Sequence, residues 1–215
     1  MNDTPITAPT TIETEADLAQ GVEVLVQLDP RFQRVIDLTG PLPLRRRPDG
    51  FGAMLSAIVG QQLSTSAAAA ILARLQEAGL DTPQTIRTAH DTAILGCGIS
   101  RPKLRYLRAL VEANLDYTAL RHASTTEVVT TLTALPGIGR WTAEIYAKFA
   151  LGHTDVFAAG DLALCEAAKR LLDLPERPKE RQMREIAMAW HPVRAVAARA
   201  LWAYYRVEVK REGVL

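Results

Sequence analysis

Two features of this sequence have residue types and a spacing that suit chemistry on a nucleotide. The first is a turn with the sequence Pro-Gly-Ile-Gly at residues 136–139, and the second is Asp161, a lone carboxylate further along the chain. Glycines leave the backbone amides of a turn uncovered, and amides at the start of a helix bind phosphate. A carboxylate can stabilise a positive charge or activate water. The pair therefore predicts a backbone grip on phosphate beside an acid that acts on a nucleotide.

Two helices are predicted to hold the turn. Ser124 and Glu127 have the spacing of a capping box, which predicts a helix over residues 125–135 that the proline of the turn ends. A second helix is predicted over residues 140–151, with Gly152 as its C-terminal cap. Its amino end points to the turn, so free N–H groups and the positive end of the helix dipole gather where an anion can bind.

The turn has two other interpretations. The first is an ordinary helix-to-helix turn, since proline and glycine are common turn residues, and Gly137 and Gly139 both allow a positive φ. The other alternative, a glycine-rich nucleotide-binding loop, is disfavoured by its context. Residue 142 is Thr instead of a third glycine, and a helix instead of a strand precedes the turn.

The rest of the chain is predicted to be helical, with essentially no sheet. The chain has 215 residues, 48% of them hydrophobic, which is enough for one large domain or two small lobes. Residues 1–12 are polar and are predicted to form a disordered tail. Beside the two helices of the turn, helices are predicted over residues 18–28, 31–38, 51–59, 65–78, 83–89, 91–95, 103–114, 161–172, 179–189 and 193–208.

Charge and cysteine usage limit the possible classes of protein. The net charge is +1 and the pI about 7.8, below the range that by itself indicates a nucleic-acid binder, so any such surface has to be a local patch. Neither Cys97 nor Cys165 has the neighbours of a metal or redox motif, which indicates a reducing compartment. No apolar run approaches the roughly 18 residues of a membrane span, and the acidic start is unlike a signal peptide. We expect a soluble, cytoplasmic protein.

The sequence resembles the helix-hairpin-helix DNA glycosylases, and within them the DNA-3-methyladenine glycosylase II branch. The resemblance rests on four segments between about residues 51 and 205, in the order of the family: residues 58–64, 98–103, 135–161, and 190–194 with 201–202. About 50 residues precede this common core, as in a compact form without the N-terminal α/β domain of larger relatives. With two cysteines, the four-cysteine iron–sulfur cluster of some relatives is excluded.

The resemblance implies an all-α fold of two helical lobes. One lobe would span about residues 51–135, and the other would combine residues 13–50 with 136–215. The hairpin motif would lie at the junction of the lobes, at the DNA-facing cleft. We expect the protein to act as a monomer, without a cofactor and without a membrane.

The resemblance also implies an activity, base-excision repair of double-stranded DNA. Such an enzyme flips an alkylated base, of the 3-methyladenine or 7-methylguanine type, out of the duplex and hydrolyses its N-glycosidic bond. Asp161 matches the catalytic carboxylate, which stabilises the oxocarbenium-like sugar. Its position also suits an N-cap of the next helix, and both roles can hold. Asp155 is the nearest competing carboxylate.

Trp141 decides the subtype of enzyme. Relatives that also cut the strand carry a lysine at this position, and that amine attacks the sugar. The nearest lysine here, Lys148, lies about 10 Å further along a helix, so we predict a monofunctional enzyme that leaves an abasic site. Two rivals stay open: a bifunctional glycosylase with lyase activity, and a helix-hairpin-helix module that binds DNA without catalysis.

Three aromatic residues are candidates for the base pocket. Trp202 matches an aromatic wall of the family's pocket, and Trp141 would form another, although core packing of Trp141 is as plausible. Stacking on indole favours a cationic alkylpurine through cation–π attraction. Ile145 stands where a relative has an aromatic, and the adjacent Tyr146 would point about 100° away from that direction.

The remaining candidates would contact DNA. Gln61, Gln62 and Leu63 occupy the segment that supplies the family's wedge residue, or else form a polar break between two helices. The hairpin contributes Gly137, Gly139 and Arg140. The basic candidates, which could instead be solvated helix faces, are Arg101, Lys103, Arg105, Arg108 and Lys148, with a further possible contact at residues 45–47.

Two smaller expectations concern a metal and an arginine. The hairpin carbonyls of Leu135 and Ile138 could hold a monovalent cation, as in the family, whereas the four scattered histidines do not indicate a catalytic metal. Arg194 is predicted to pair with a carboxylate near Trp190, with a phosphate contact as the alternative.

Overall fold

The structure is a computed structural model that describes residues 7–211, with side chains described to residue 208. In chain order the α-helices are α1 (Glu15–Leu28), α2 (Arg31–Thr39), α3 (Phe51–Gly60), α4 (Thr65–Glu77), α5 (Pro83–Thr88), α6 (Asp91–Gly96), α7 (Arg101–Glu112), α8 (Tyr117–His122), α9 (Thr125–Thr133), α10 (Arg140–Tyr146), α11 (Leu162–Leu171), α12 (Glu180–Ala187) and α13 (Arg194–Arg211). A π-helical turn, Ala147–Leu151, continues α10, and a 3-10 turn, Met188–Trp190, continues α12. Within the described range the sole β-type pairing is one bridge between Thr11 and His153, so the predicted all-α class is confirmed. None of the described helices is long and apolar enough to cross a membrane.

The chain divides into two compact units. Residues 47–146, which carry α3 to α10, form one unit, and the described residues up to 46 form the other together with those from 147 onward. From the sequence, residues 136–146 are assigned to the unit that contains the N-terminal and C-terminal helices. That assignment is wrong, because α10 packs against α9 and α3, where it buries Ala143 and Tyr146.

Helix α13 is the centre of the unit that contains both ends of the described chain. Helices α1, α2 and α11 pack against it, and its alanines at 195, 197, 198 and 200 are fully buried. Trp190, just before α13, is 1% exposed and lies edge-on to Phe32, with 5.3 Å between the ring centroids. Its indole Nε1 donates to the Asp29 carboxylate at 2.9 Å. This hydrogen bond fixes the start of α2 to the turn that precedes α13.

The helix starts follow the capping residues. Ser124 with Glu127 forms the reciprocal bonds of a capping box at α9, which confirms that prediction, and Thr14 with Asp17 forms another at α1. Helix α8 (Tyr117–His122) is absent from the helices predicted from the sequence. Its available signal was Asp116, whose side chain accepts a hydrogen bond from the Ala119 amide at 2.9 Å.

The predicted disordered tail is too long at its C-terminal end. Ile12 is fully buried, and its amide donates to the Gly152 carbonyl at 2.7 Å. The bridge from Thr11 to His153 adds a second attachment. Burial of an apolar side chain and a backbone hydrogen bond therefore order this segment, while residues 1–6 lie outside the described range.

Candidate functional site

The predicted hairpin between α9 and α10 is present in the unit of residues 47–146. Gly137 adopts a φ of +81°, and a Cβ at this position would come within 2.2 Å of the Tyr106 ring. The Ile138 amide closes the turn by donating to the Leu135 carbonyl at 3.2 Å, and the Ile138 side chain is buried. Both the backbone conformation and the packing therefore require glycine at residue 137.

Gly139 is glycine for a different reason. Of the two hairpin glycines only Gly137 adopts the positive φ that the sequence allowed at both. Nothing lies within 4 Å of a Cβ built on Gly139, so the fold leaves this position open. Its carbonyl accepts the Ala143 amide at 3.1 Å, which places it directly before the first turn of α10, where amides lack helical partners. A glycine here keeps those amides accessible to an anion.

The segment between α3 and α4 is fixed to the hairpin. Gln61 Nε2 donates to the Gly137 carbonyl at 2.7 Å, and Lys103 Nζ donates to the Gln61 carbonyl and to another carbonyl at the end of α3, each at 2.7 Å. Gln62, in contrast, is exposed at a φ of +57°, and Leu63 is 40% exposed. Gln61 is thus a structural residue, and two of the three wedge candidates, Gln62 and Leu63, point to solvent.

The basic candidates of this unit divide into exposed and structural residues. Arg101 and Arg105 are exposed on α7 and have no ion-pair partner among the side chains described. Arg140 is 58% exposed at the start of α10, where it pairs with the buried Glu144 at 2.9 Å. Lys103 and Arg108 have structural contacts: Lys103 caps α3, and Arg108 donates to the Ala89 carbonyl after α5. Their contact with DNA stays a prediction.

The two aromatic candidates of this unit lie in different environments. Trp141 is 49% exposed, so the alternative that it packs in the core is wrong. Tyr146 is buried, and its hydroxyl accepts a hydrogen bond from the Gly50 amide at 3.1 Å. Tyr146 therefore holds the start of α3, and its part in a base pocket stays a prediction.

Asp161 lies in the other unit, at the N-terminus of α11. Its Oδ1 accepts hydrogen bonds from the Ala163 amide at 2.9 Å and the Leu164 amide at 3.4 Å, which confirms the predicted N-cap. Its Oδ2 accepts no hydrogen bond from any residue that the structure describes, and the side chain is half-buried. The cap holds the carboxylate in one orientation and leaves its second oxygen available.

The competing carboxylate, Asp155, is fully engaged in a structural cluster. Arg194 binds both of its oxygens, at 2.5 and 2.8 Å, and His191 Nδ1 lies 2.8 Å from Oδ2. Burial raises the pKa of Asp155, but the hydrogen bonds and charges of Arg194 and His191 outweigh burial and hold it below its usual value. The predicted pairing of Arg194 with a carboxylate is confirmed, and the cluster leaves Asp161 as the better candidate for chemistry.

Lys148 is not the DNA contact that the sequence suggested. It lies in the π-helical turn after α10 and is only 4% exposed. The pKa of Lys148 falls to about 7, chiefly because the amine is buried; Arg199 also lowers it, Asp161 raises it, and Arg45 lowers it. Lys148 is therefore a buried amine whose pKa the charge of Asp161 raises, whereas the sequence predicts a surface lysine.

Arg199 is a second buried cation that the sequence did not indicate as functional. It is 5% exposed, and its Nη2 donates to the carbonyls of Leu44 and Lys148, each at 3.4 Å. Its Nε and Nη1 are buried without a hydrogen-bond partner. Lys148 Nζ and the guanidinium of Arg199 lie 4.6 and 4.8 Å from the centroid of the same ring, that of Phe149. The available signal was an arginine within an alanine-rich helical run.

Cations also contact Trp202, the predicted aromatic wall on α13. The guanidinium of Arg45 lies 4.9 Å from its ring centroid, and that of Arg206 lies 5.6 Å away. The possible phosphate contact predicted at residues 45–47 thus includes a residue that stacks on Trp202. Two cations of the protein therefore already lie against the electron-rich ring of Trp202.

Metal-binding groups are scarce in the described part of the chain. No three His, Cys, Asp or Glu side chains come together there as a metal site, and Cys97 and Cys165 are buried free thiols. At the hairpin, the Leu135 carbonyl already accepts the Ile138 amide, and a carbonyl oxygen can accept a second partner. The cation at the Leu135 and Ile138 carbonyls stays a prediction.

Comparison with known proteins places these residues in a family context. The family model of the HhH-GPD superfamily base excision DNA repair protein matches residues 55–192. The DNA-3-methyladenine glycosylase 1 of Schizosaccharomyces pombe is 29% identical over 187 residues, which cover 81% of this chain and 82% of that protein. The alkylbase DNA glycosidase-like protein mag2 of the same organism is 26% identical over 200 residues, which cover 87% of this chain and 94% of that protein.

Solved structures show the same likeness. The crystal structure of a DNA-3-methyladenine glycosidase from Bacillus halodurans has a TM-score of 0.81 and 33% identity, and the match covers 93% of each chain. The structure of the S. pombe 3-methyladenine DNA glycosylase in complex with abasic DNA has a TM-score of 0.73 and 29% identity. That match covers 85% of this chain and 95% of the other.

Proposed function

The chain belongs to the HhH-GPD superfamily of base excision DNA repair proteins, and we propose that it is a DNA glycosylase that removes alkylated bases from duplex DNA. The bases are of the 3-methyladenine and 7-methylguanine type. The reaction is hydrolysis of the N-glycosidic bond after the base has been flipped out of the stack. The resemblance noted in the sequence is confirmed by the family match and by relatives named as DNA-3-methyladenine glycosylases.

The observation that carries the proposal is the state of Asp161. Two amides of α11 hold its Oδ1, while Oδ2 accepts no hydrogen bond from the residues described. As the bond from the sugar to the base breaks, the sugar develops positive charge. A carboxylate with one free oxygen stabilises that charge and accepts a proton from the attacking water. A single carboxylate is enough, because an alkylated base is a good leaving group.

The hairpin supports DNA binding in this proposal. The uncovered amides after Gly139 would bind a backbone phosphate, and Arg140 would add positive charge at the same end of α10. Gln62 and Leu63 are free to enter the space that the flipped base leaves, Gln62 with a hydrogen-bonding amide and Leu63 by its shape. The exposed indole of Trp141 offers a stacking surface for a base.

We propose that the enzyme is monofunctional and leaves the DNA strand intact. Trp141 offers no amine, and Lys148 is 4% exposed beneath the surface of its unit. A lowered pKa makes Lys148 a better nucleophile than an ordinary lysine, so the bifunctional alternative deserves a direct assay. Hydrolysis by water requires no covalent bond between enzyme and sugar.

The test uses duplex DNA that contains 3-methyladenine or 7-methylguanine. We expect release of the free base and strand breaks that appear only after alkali treatment. Breaks without alkali, together with a covalent adduct trapped by borohydride, would show the bifunctional enzyme. Duplex binding without release of either base would show a DNA-binding module and refute the glycosylase.

A further inference from the structure

The turn between α3 and α4 holds a glutamine in a backbone conformation that favours glycine. Gln61 has a φ of −57° and a ψ of 128°, and Gln62 follows with a φ of +57°. The Leu63 amide closes the turn by donating to the Gly60 carbonyl at 3.3 Å. These are the features of a type II turn, in which a side chain at the third position is strained. Such a residue persists where the surrounding structure holds it, and strained residues concentrate at functional sites.

Lys103 on α7 selects this form of the turn. Its Nζ donates to the carbonyls of Val59 and Gln61, each at 2.7 Å. The Gln61 carbonyl belongs to the central peptide of the turn, and the orientation of that peptide distinguishes a type II turn from a type I turn. Without Lys103 this peptide is free to rotate to the type I orientation, in which residue 62 has a negative φ. The ammonium group therefore sets the direction in which the Gln62 side chain points.

The same turn is attached to the hairpin between α9 and α10. Gln61 Nε2 donates to the Gly137 carbonyl at 2.7 Å, and the Tyr106 ring lies where a Cβ on Gly137 would be. Lys103 and Tyr106 are three residues apart on α7, so they lie on one face of that helix. One face of α7 and the Gln61 side chain therefore keep the turn and the hairpin in a fixed relation within the unit of residues 47–146.

We propose that Lys103 and Gln61 are positioning residues for base flipping, which hold the turn so that Gln62 enters the duplex at a fixed distance from the phosphate bound at the hairpin. The proposal rests on the glycosylase function proposed above. Gln62 is exposed, and its side chain makes no hydrogen bond to a residue that the structure describes. Its amide both donates and accepts, as the partner of a flipped base requires. A turn that is ordered before binding loses less conformational freedom when it meets DNA.

The experiment measures single-turnover release of 7-methylguanine from two duplexes. In one duplex the damaged base pairs with cytosine, and in the other it faces a tetrahydrofuran residue and has no pairing partner. Lys103→Met and Gln61→Leu should each release the paired base about ten- to a hundredfold more slowly than the wild type, the size expected for a misplaced group. From the second duplex their rates should lie within about threefold of the wild type, because no base pair has to be replaced. Affinity for undamaged duplex should stay within about twofold, because the amides of the hairpin still bind phosphate.

Further variants test whether the effect belongs to the turn. Lys103→Arg keeps donors for the two carbonyls and should recover most of the rate that Lys103→Met loses. Gln62→Gly adopts the positive φ without strain, so it should be at least as stable as the wild type in urea and still lose release of the paired base. Lys169→Met on α11 and Gln76→Leu on α4 are the matched controls and should follow the wild type.

The outcomes separate this proposal from the one it rests on. Release of no 7-methylguanine by the wild type from either duplex would refute the glycosylase itself. With an active wild type, an equal loss of rate on both duplexes, or weaker binding of undamaged duplex by Lys103→Met, would show a general structural role and overturn the positioning role. Wild-type release of the paired base by Gln62→Gly would overturn it as well. Urea denaturation checks that each variant is folded, and Gln61→Leu and Gln62→Gly carry the test if Lys103→Met is not.

Discussion

Replacing Lys148 with methionine should stabilise the folded protein, and the size of the effect should depend on pH. Burial lowers the pKa of Lys148 from 10.5 to about 7, and the charges of Arg199 and Arg45 contribute to the decrease, whereas the charge of Asp161 opposes it. A pKa difference of one corresponds to about 1.4 kcal/mol, so the buried amine costs the folded state up to about 5 kcal/mol below pH 7. Between pH 7 and 10.5 the unfolded chain binds more protons, and this cost fades as pH rises.

Urea denaturation at pH 6, 7.5 and 9 tests this expectation. At pH 6 the free energy of unfolding of Lys148→Met should exceed that of the wild type by about 2 to 5 kcal/mol. The difference should shrink by up to about 1.4 kcal/mol for each pH unit above 7. Lys169→Met should show no such trend. An equal difference at pH 6 and pH 9, or a less stable Lys148→Met at pH 6, would refute the reasoning that the amine is buried at a cost.

Three further predictions separate residues of the fold from residues that meet DNA. Gly137→Ala should lower the free energy of unfolding by more than about 2 kcal/mol in urea denaturation, because residue 137 has a positive φ and a Cβ there would clash with Tyr106. Gly139→Ala should change the free energy of unfolding by less than about 1 kcal/mol, and should weaken duplex binding in a fluorescence titration. Trp141→Ala should likewise keep its melting temperature, because the indole is half exposed, and lose affinity for duplex DNA. Asp29→Ala should cost about 2 to 3 kcal/mol by leaving the buried Trp190 Nε1 without an acceptor. Burial raises the pKa of Asp29, but its hydrogen bonds outweigh burial and hold the pKa below its ordinary value. The wild type should therefore lose this stability as pH falls toward that lowered pKa, and the free energy of unfolding of Asp29→Ala should depend less on pH in the acid range.

Local chemistry explains why most helix boundaries could be predicted from the sequence. Thr14 and Ser124 cap their helices through residues three positions away, so the information lies within one turn of chain. The proline at 136 and the glycine at 152 end helices for equally local reasons. The burial of Ile12, in contrast, depends on a partner near Gly152, which no local pattern reports.

The same distinction applies to the candidate site. Asp161 was found because a cap and a family position coincide at one residue. The structural contacts of Lys103 and Arg108 could not be predicted, because their long side chains reach carbonyls that only the folded chain brings near. Lys148 was placed on the surface because a regular helix was expected, whereas the π-helical turn from Ala147 changes the direction in which each later side chain points.

The most direct test of the central claim is single-turnover release of 3-methyladenine by Asp161→Asn, with duplex affinity measured on the same protein. Asparagine caps a helix as well as aspartate does, so the fold should be kept while the negative charge is lost. Asp116→Asn makes the same change at the N-cap of α8 and is the matched control. We predict at least a hundredfold slower release by Asp161→Asn, unchanged binding, and a normal rate for Asp116→Asn. Release by Asp161→Asn at the rate of the wild type would contradict the claim that this carboxylate performs the chemistry.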